Sequence, residues 1–188
     1  MNMETVLETK ALILRPWTSE DIDQLVDGLN DVNVAEWLAF VPHPYARSDA
    51  LKWIEHCQRL SPDDGAQGAY EFAIERKADR IVIGGVSLNS IDKERGSAGG
   101  GIWINAAYHR RGYGREAFGE RIRFAFDTLR LRELHNGYFP GNEPSWDLQK
   151  RFGYKRTAEE PRRRRCLADG SWRDEILTSL SREDWIRN

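Results

Sequence analysis

The chain has 188 residues, 40% of them hydrophobic and 31% charged, and its 28 basic and 30 acidic side chains give a net charge of −2. This length suits a single domain over residues 1–188, and its two cysteines and four histidines show no disulfide framework or metal-ligand spacing. The balanced charge disfavours nucleic acid or membrane surfaces as general partners. No apolar run is long enough to cross a bilayer, so we expect a cytoplasmic protein.

The first half of the chain alternates strand and helix signals. Alternating side chains predict a strand over residues 6–17. Three helices are predicted after it, one with Ser19 as N-cap, one over residues 34–40, and one that begins at Ser48 or Asp49. Two further strands, over residues 70–75 and 81–88, are predicted to form a hairpin with a charged turn at residues 77–80.

The second half predicts a long amphipathic helix after a strand that ends at Ile104. Spacing of three and four residues defines its buried face, formed by Phe118, Ile122, Ala125, Phe126 and Leu129. Arg121, Arg123 and Arg130 are predicted on the exposed face. A strand over residues 134–139, a helix over 142–152 and a strand pair over 154–157 and 176–180 follow. This mixture predicts one α/β or α+β domain with helices around a mixed sheet.

The most informative segment is the basic turn before the long helix, which reads Tyr108-His109-Arg110-Arg111-Gly112-Tyr113-Gly114-Arg115. A helix N terminus presents unpaired N–H groups and the positive end of the macrodipole, and Gly112 and Gly114 let an anion approach the backbone. Arginines at a helix start oppose the macrodipole unless an anion neutralises them. The turn therefore predicts a phosphate-binding site.

Two common nucleotide-binding motifs fit this turn poorly. Gly112-x-Gly114-x-x-Ala117 matches the dinucleotide fingerprint with alanine in third place. However, the turn lies past the middle of the chain, seven residues separate Ile104 from Gly112, and no acidic residue ends the next strand. A Walker loop is excluded because no Gly-Lys-Ser/Thr sequence follows.

A third family matches better. Residues 108–117 resemble the pyrophosphate loop of the GNAT acetyltransferases, whose pattern is Gln/Arg-x-x-Gly-x-Gly/Ala. Gly112 and Gly114 match it, and His109 stands where Gln or Arg is usual. The branch that contains ribosomal-protein alanine N-acetyltransferases is similar over further segments, namely 12–17, 34–38, 44–45, 53–54, 142–145 and 152–154. These segments occur in the same order and at normal separations.

The resemblance implies a mixed, mostly antiparallel sheet, flanked by helices and splayed open between the strand ending at Ile104 and the strand over residues 134–139. In such a fold the pantetheine arm of acetyl-CoA enters the splay, and N–H groups of the glycine turn hold the pyrophosphate. The implied coenzyme-binding residues are Trp103, Ile104, His109, Arg110, Arg111, Gly112, Tyr113, Gly114, Arg115 and Asn142. No metal ion is implied.

Asn142 and Ser145 begin the next predicted helix. In relatives the serine of this motif is a proposed general acid that protonates the leaving thiolate, so Ser145 is the candidate catalytic residue. A solvated helix serine is the alternative for Ser145. Asn142 is a good helix N-cap in its own right, so both capping alone and capping with a coenzyme contact stay open.

The implied reaction is direct attack of an amine on the acetyl thioester, and the amine must first lose a proton. At pH 7 this costs about 1.4 kcal/mol for an α-amine with a pKa near 8, but about 4.6 kcal/mol for a lysine with a pKa near 10.4. Many relatives carry a glutamate two residues before the glycine equivalent to Gly101, where this chain has Gly99. The candidates for the general base in place of that glutamate are a water chain and the side chains of Asp174, Glu175, Glu71 and His135.

Four consecutive arginines, Arg162–Arg165, form the other conspicuous run. Their charge suits ribosomal RNA, an acidic protein surface or the 3′-phosphate of coenzyme A. The alternative is a solvated loop between two strands. Acidic residues that would balance its charge lie nearby, at Glu159, Glu160, Asp169, Asp174 and Glu175.

Three functions of different classes follow. The first is an acetyl-CoA-dependent N-acetyltransferase that acts on a primary amine, either a protein N terminus or a small molecule. The second is an acyl-CoA-binding module without catalysis, and the third is an RNA- or ribosome-associated protein that uses the arginine run. The loops expected to select the acceptor, residues 37–45 and the arginine-rich segment, carry no readable code. The sequence is compatible with a homodimer.

Overall fold

The computed structural model describes residues 5–63 and 68–186. Ten strands in these ranges join one sheet, namely β1 Leu7–Glu8, β2 Leu12–Pro16, β3 Tyr70–Arg76, β4 Val82–Asp92, β5 Ser97–Gly99, β6 Ile102–Ile104, β7 Glu133–Tyr138, β8 Lys155–Arg156, β9 Arg162–Arg165 and β10 Trp172–Ser181. The helices are α1 Ile22–Leu29, α2 Val32–Ala35, α3 Arg47–Arg59, α4 Tyr113–Arg123 and α5 Glu143–Arg151. Helix α4 continues as a π-helical turn over Phe124–Thr128, and short 3₁₀ segments cover Ser19–Asp21 and Ala106–Tyr108.

The sheet is mixed and mostly antiparallel, as expected. Its order is β1-β2-β3-β4-β5-β7-β10-β8, with β6 beside β4 and β9 beside β10. Strands β5 and β7 run parallel, whereas the other neighbouring strands of the described ranges run antiparallel. A parallel pair needs a long crossover connection, and the segment that contains α4 supplies it.

The sheet opens in its middle. Strand β5 pairs with β4 on one side and with β7 on the other, where Ala98 lies beside Leu134. The chain then bends at Gly100, whose φ is +144° and where a Cβ would collide with the Ser87 carbonyl oxygen. Strand β6 continues along β4 alone, so a gap separates β6 from β7. This confirms the splay predicted between these two strands.

Helices cover both faces of the sheet. Alternation along β3 sends Phe72 and Ile74 to one face and Ala73 to the other. On the first face α4 buries four of its five predicted apolar residues completely, namely Phe118, Ile122, Ala125 and Phe126. On the second face α1 and α3 contribute Leu25, Leu29 and Ile54 to a separate cluster. The gap between β6 and β7 therefore lies between two helical layers.

Residues 6–17, predicted as one strand, form a hairpin of β1 and β2. The break lies at Thr9, whose hydroxyl oxygen accepts a hydrogen bond from the Leu12 N–H at 2.9 Å. Leu7 then lies beside Leu14 on the antiparallel strand. The buried leucine before the break has an odd number, Leu7, whereas those after it have even numbers, Leu12 and Leu14. One continuous strand would bury positions of one parity, so this change indicated two strands.

Two predicted helix caps are wrong by one or a few residues. The cap of the first helical turn is Thr18 rather than Ser19, and helix α3 has Ala46 rather than Ser48 or Asp49 before it. In both cases an aspartate three residues later accepts the N–H of the capping residue, and Asp49 does so at 3.0 Å. The aspartates therefore act from inside the first turn, as partners of the cap.

Helix α2 covers Val32–Ala35 rather than residues 34–40. Asp31 caps its start by accepting a hydrogen bond from the Asn33 N–H at 2.9 Å. The remaining predicted strands and helices lie within four residues of their observed ends.

The arginine run is a strand rather than the predicted loop. Strand β9 pairs antiparallel with the start of β10, so that Arg163 lies opposite Asp174. The Arg163 and Asp174 side chains approach to 3.2 Å, and those of Arg164 and Glu175 to 3.1 Å. Opposite charges across a ladder stabilise strand pairing, so the carboxylates of β10 allow this basic segment to extend the sheet.

Candidate active site

Helix α4 begins beside the end of β6. Gly112, in the left-handed conformation at φ +85°, precedes the helix as its N-cap, and a Cβ on Gly114 would lie 3.6 Å from Ile104 Cγ1. The first helical hydrogen bond joins the Glu116 N–H to the Gly112 carbonyl at 3.0 Å. The N–H groups of residues 113–115 thus precede the helical ladder and face outward. This end of the helix supplies the donors and the positive dipole that an anion needs.

The turn before α4 also has the space for an anion. A Cβ on Gly112 would meet no atom within 4 Å. Arg110, Arg111 and Arg115 are exposed around it, and in the described part of the chain they form no ion pair. Open space, backbone donors and uncompensated positive charge together fit a phosphate group.

His109 ties this turn to the strand. Its Nε2 lies 2.7 Å from the Ile104 carbonyl oxygen. A carbonyl oxygen only accepts hydrogen bonds, so this nitrogen carries the proton and donates it. The imidazole therefore holds the turn against the end of β6, and a direct contact between His109 and the coenzyme stays a prediction.

The hydrogen bonds of β6 decide which of its backbone groups face the gap. Two bonds to β4 flank the strand, from the Ser87 N–H to the Gly101 carbonyl at 2.9 Å and from the Asn105 N–H to the Ile83 carbonyl at 2.8 Å. Hydrogen bonding alternates along an antiparallel pair, so Trp103, midway between these two positions, also bonds to β4. The N–H and carbonyl groups of Ile102 and Ile104 therefore point into the gap.

The side chain of Trp103 lies on the face that carries α1 and α3. Its ring stacks on Trp17 with 6.4 Å between the ring centroids. Gly28 and Gly85 leave the room that the indole needs, since a Cβ on them would lie 2.6 and 2.7 Å from its atoms. Trp103 thereby forms one wall of a cavity of about 750 Å³.

This cavity meets the gap in the sheet. Its walls are mostly apolar and aromatic and include Trp17, Leu25, Leu29, Phe40, Tyr45 and Trp53. Its polar side chains are Asp49, Lys52 and His56 from α3 and Glu71, Ser87, Asn89 and Ser90 from the strands and the end of β4. Gly101 and Ile102 belong both to the cavity lining and to the edge of the gap. The cavity therefore adjoins the gap at this point.

Glu71 is a titratable group at the floor of the cavity. Burial raises the pKa of its carboxyl group to about 8, although a hydrogen bond with Asn89 and the charge of Arg121 act in the opposite direction. A carboxylate of this kind accepts a proton near neutral pH.

Arg121 holds the strands together where the gap begins. It is fully buried, so its predicted place on the exposed face of α4 is wrong. Its guanidinium group donates to the carbonyls of Ser87 at 2.6 Å and Gly99 at 2.9 Å, and to the Tyr154 hydroxyl at 3.2 Å. These acceptors make the burial of the charge tolerable. Arg121 lies three residues after the buried Phe118, and residues at this spacing share a helical face, so the sequence already indicated its burial.

Asn142 and Ser145 begin α5, directly after β7. The Asn142 Oδ1 accepts a hydrogen bond from the Ser145 N–H at 3.3 Å, which confirms the predicted cap. Gln149 donates to the Ser145 Oγ at 3.2 Å, and the Thr178 hydroxyl donates to Gln149 at 2.6 Å. Because the Ser145 oxygen accepts in this chain of bonds, its own proton is available for another acceptor. Gln149 and Thr178 were missed, since neither belongs to a motif.

Comparison with known proteins decides the family. The family model described as an acetyltransferase (GNAT) domain matches residues 11–155. The chain belongs to the GNAT acetyltransferase family. This confirms the resemblance, and it makes the protein an acetyl-CoA-dependent N-acetyltransferase that transfers an acetyl group to an amine.

Individual relatives agree with this assignment. The uncharacterized N-acetyltransferase p20 of Bacillus licheniformis is 30% identical over 154 residues, which are 82% of this chain and 84% of the relative. The ribosomal protein uS5-alanine N-acetyltransferase of Escherichia coli (strain K12) is 29% identical over 120 residues, 62% of this chain and 60% of the relative. A solved spermidine N-acetyltransferase from Vibrio cholerae, in complex with CoA and spermine, shares the fold, with a TM-score of 0.76 at 18% identity over 94% of this chain and 98% of that one.

In this GNAT acetyltransferase most of the predicted site residues lie at one edge of the sheet. Strands β5 and β7 are parallel, so the connections that follow β6 and β7 leave from the same edge. That edge carries Ile104, His109, Arg110, Arg111, Gly112, Tyr113, Gly114, Arg115, Asn142 and Ser145. Trp103 differs, because its backbone bonds to β4 and its side chain faces the cavity.

Three of the four side chains considered as bases in this acetyltransferase do not line the cavity. Asp174 and Glu175 pair with the arginines of β9. His135 is exposed, and its Nε2 lies 3.6 Å from Glu133. Glu71 is the candidate that lines the cavity.

The arginine strand of this acetyltransferase braces the rim of the cavity. The Arg164 guanidinium lies over the Phe40 ring, 5.4 Å from its centroid. Beyond the strand, the Leu167 N–H bonds to the Ala39 carbonyl at 3.1 Å. The hairpin of β9 and β10 therefore supports the loop whose Phe40 lines the cavity.

In residues 5–63 and 68–186 no group of three or more His, Cys, Asp or Glu side chains could hold a metal ion. No helix of the same ranges is long and apolar enough to cross a membrane. Burial raises the pKa of the Cys57 thiol, which makes it a poor nucleophile near neutral pH.

Proposed function

We propose that this acetyltransferase acts on the α-amine at the N terminus of a peptide or protein. The observation that carries the proposal is the lining of the cavity, where apolar and aromatic walls surround two carboxylates, Asp49 and Glu71, and one lysine, Lys52. Such a lining suits one amine beside apolar side chains. A polyamine brings several positive charges, which these groups would not balance. The similarity to an enzyme named as a ribosomal protein uS5-alanine N-acetyltransferase supports a protein acceptor.

Acetyl-CoA, when bound, supplies the thioester carbonyl that the amine attacks. We assign its pyrophosphate to the N–H groups of residues 110–115, because the open space at Gly112 and the donors at the start of α4 fit that group. We assign its pantetheine arm to the edge of β6, where the backbone groups of Ile102 and the N–H of Ile104 face the gap. The backbone contact expected of Trp103 therefore moves to Ile102, and the indole of Trp103 faces the acceptor.

Proton transfer completes the assignment. An α-amine near pKa 8 loses its proton at pH 7 for about 1.4 kcal/mol, which is about 3 kcal/mol less than a lysine requires. Ser145 is assigned to the leaving thiolate, because its oxygen accepts from Gln149 and leaves its proton free to donate. Asn142 positions Ser145 by capping α5.

The test measures thiol release from acetyl-CoA with matched acceptors. Two peptides share one sequence that begins with alanine and contains a lysine, but one has a free N terminus and the other is N-formylated. We expect kcat/KM for the free peptide to be at least about tenfold above that for spermidine, and the formylated peptide to react at the background rate. Faster reaction of spermidine, or acetylation of the lysine in the formylated peptide, would contradict the proposal.

Three finer expectations accompany this proposal. Nucleic acid is not assigned as a partner, because Arg163 and Arg164 are already paired with Asp174 and Glu175. A cytoplasmic location and a homodimer stay predictions from the sequence.

A further inference from the structure

We infer that Glu71 accepts the proton that the acceptor amine loses before it attacks. This inference rests on the proposed function and assigns the general base of the same site. Gly99, where a base would be expected, has no side chain that could take part.

Glu71 lies between the centre of the cavity and the edge of the gap in the sheet. On the sheet, Glu71 lies directly beside Ser87 of β4, and the Ser87 Oγ accepts a hydrogen bond from the Gly101 N–H at 3.0 Å. Glu71 of β3, Ser87 of β4 and Gly101, directly before β6, therefore lie in one row. Strands lie about 4.8 Å apart, so about 10 Å separate the backbones at the two ends of this row. A glutamate side chain and an amine nitrogen, with one bridging water where needed, span this distance.

The surroundings of Gly99 explain why the carboxylate comes from another strand. Asn89 lies beside Gly99 on the sheet, and a Cβ on Gly99 would lie 3.1 Å from the Asn89 Oδ1. Asn89 also lies close enough to Glu71 to lower the pKa of its carboxyl group. Its amide group therefore occupies the space beside position 99, next to the carboxylate of β3.

The groups around Glu71 set the pH range in which its carboxylate accepts a proton. Burial raises the pKa of Glu71 to about 8, while Asn89 of β4 and Arg121 of α4 lower it. Helix α3 adds further titratable groups on the cavity side, namely Asp49, Lys52, His56 and Cys57. An α-amine has a pKa near 8, so the exchange of a proton between the two groups is nearly balanced. Nearly matched pKa values favour general base catalysis at neutral pH.

The other carboxylate of the cavity has a different task. Asp49 accepts the Ala46 N–H at 3.0 Å and thereby caps α3. It comes from the helix above the cavity, whereas Glu71 comes from the sheet that forms the edge of the gap. Glu71 is therefore the carboxylate that the amine meets next to the thioester.

The proposed proton transfers balance. A proton passes from the ammonium nitrogen to a carboxylate oxygen of Glu71 and then to water at the cavity mouth. The nitrogen lone pair forms the bond to the acetyl carbon, and the carbon–sulfur bond breaks with its electron pair on sulfur. The nitrogen loses its second proton and the thiolate gains one, so each amide formed releases one proton to solvent.

The decisive variant is Glu71→Gln, which keeps the size and the hydrogen bonding of the side chain but accepts no proton. The ionised carboxylate is the active form, so kcat of the unmodified protein should rise as pH increases, with a midpoint near 8. In Glu71→Gln we expect kcat to fall about 100-fold, and the rise that remains to follow only the pKa of the acceptor amine. The calorimetric affinity for acetyl-CoA should stay unchanged. Glu71→Asp should retain the pH-dependent rise at a reduced kcat.

The control is Glu133→Gln, which makes the same chemical change at a half-exposed carboxylate of β7 and should leave kcat within about twofold. An unchanged kcat and pH profile in Glu71→Gln would overturn the inference and leave the proposed acceptor class intact. If Glu71→Gln loses acetyl-CoA binding, Glu71→Asp decides, because a purely structural role predicts the full kcat for any variant that binds the coenzyme. Absence of transfer to any peptide amine by the unmodified protein would overturn the proposed function instead.

Discussion

The start of α4 and the cavity beside Glu71 lie on either side of the same gap but are built differently. The start of α4 is a continuous segment, residues 109–115, and its donors are backbone N–H groups that any residue except proline supplies. The cavity is assembled from side chains of α1, α3, β3, β4 and β6. In the proposed assignment, backbone donors recognise the pyrophosphate common to all acyl-CoA molecules, whereas side chains are free to vary with the acceptor. Coenzyme binding, which all acyl-CoA enzymes share, therefore depends on main-chain geometry, whereas acceptor binding depends on side chains.

This comparison also predicts how the two regions respond to substitution. A change at the turn should affect one property, the binding of the anion. A change near the cavity should affect several, because Asn89 and Arg121 both act on the pKa of Glu71 and Arg121 also bonds to two strands.

The largest effect is expected at the turn. Gly114→Glu places a carboxylate among the N–H donors, where it repels a pyrophosphate, so the affinity for acetyl-CoA should fall at least about 1,000-fold, or about 4 kcal/mol. The helix itself should persist, because a negative charge near its N terminus is favourable. Isothermal calorimetry measures the affinity. Gly114→Ala is the matched control, since its Cβ would make an ordinary contact at 3.6 Å from Ile104. Wild-type affinity in Gly114→Glu would place the coenzyme elsewhere.

The next largest effect is expected on the free energy of unfolding when Arg121, which connects the strands at the gap, is replaced. Arg121→Met leaves the Ser87 and Gly99 carbonyls and the Tyr154 hydroxyl without their donor. Each such loss costs about 1–3 kcal/mol, so the free energy of unfolding should decrease by about 3 kcal/mol or more. Urea denaturation followed by circular dichroism measures it. The same change at the exposed Arg123 should cost less than about 0.5 kcal/mol. Equal costs for the two variants would show that Arg121 does not hold the strands together.

A smaller effect, on kcat, is expected when Ser145, the proposed proton donor to the leaving thiolate, is replaced. Ser145→Ala removes the hydroxyl assigned to the leaving thiolate, so kcat should fall about 100-fold, or about 2.7 kcal/mol, with little change in KM for acetyl-CoA. Steady-state thiol release measures both constants. Ser48→Ala, at an exposed position of α3, should leave both unchanged. A Ser145→Ala variant with full kcat would return Ser145 to the role of a solvated helix serine.

The two regions also differed in how well the sequence predicted them. Gly112, Gly114 and the apolar face of α4 were predicted because they depend on neighbours within a few residues. The hairpin at Thr9 and the strand of Arg162–Arg165 were not, because each depends on a partner strand that the local pattern does not show. The burial of Arg121 was not predicted, although this residue lies three positions after Phe118 on the same helical face.

Within the cavity, prediction was limited by distance along the chain. Glu71 was one of several candidate bases, and no spacing rule separated it from Asp174, Glu175 or His135. Its position was decided by the pairing of β3 with β4 and of β4 with β6, which brings Glu71 into line with Gly101. Sequence periodicity identifies a strand but not its neighbours in the sheet.

The sequence by itself determined the basic, glycine-containing turn, the amphipathic helix behind it and the resemblance to the GNAT acetyltransferases. These features depend on local backbone conformation and on short motifs, which are properties of contiguous residues. The tertiary structure alone decided that Ile102 and Ile104 face the gap, that Arg121 spans two strands, and that Glu71 lines the cavity. Strand register and burial arise from contacts between segments far apart in the chain, and so they exist only once the chain has folded.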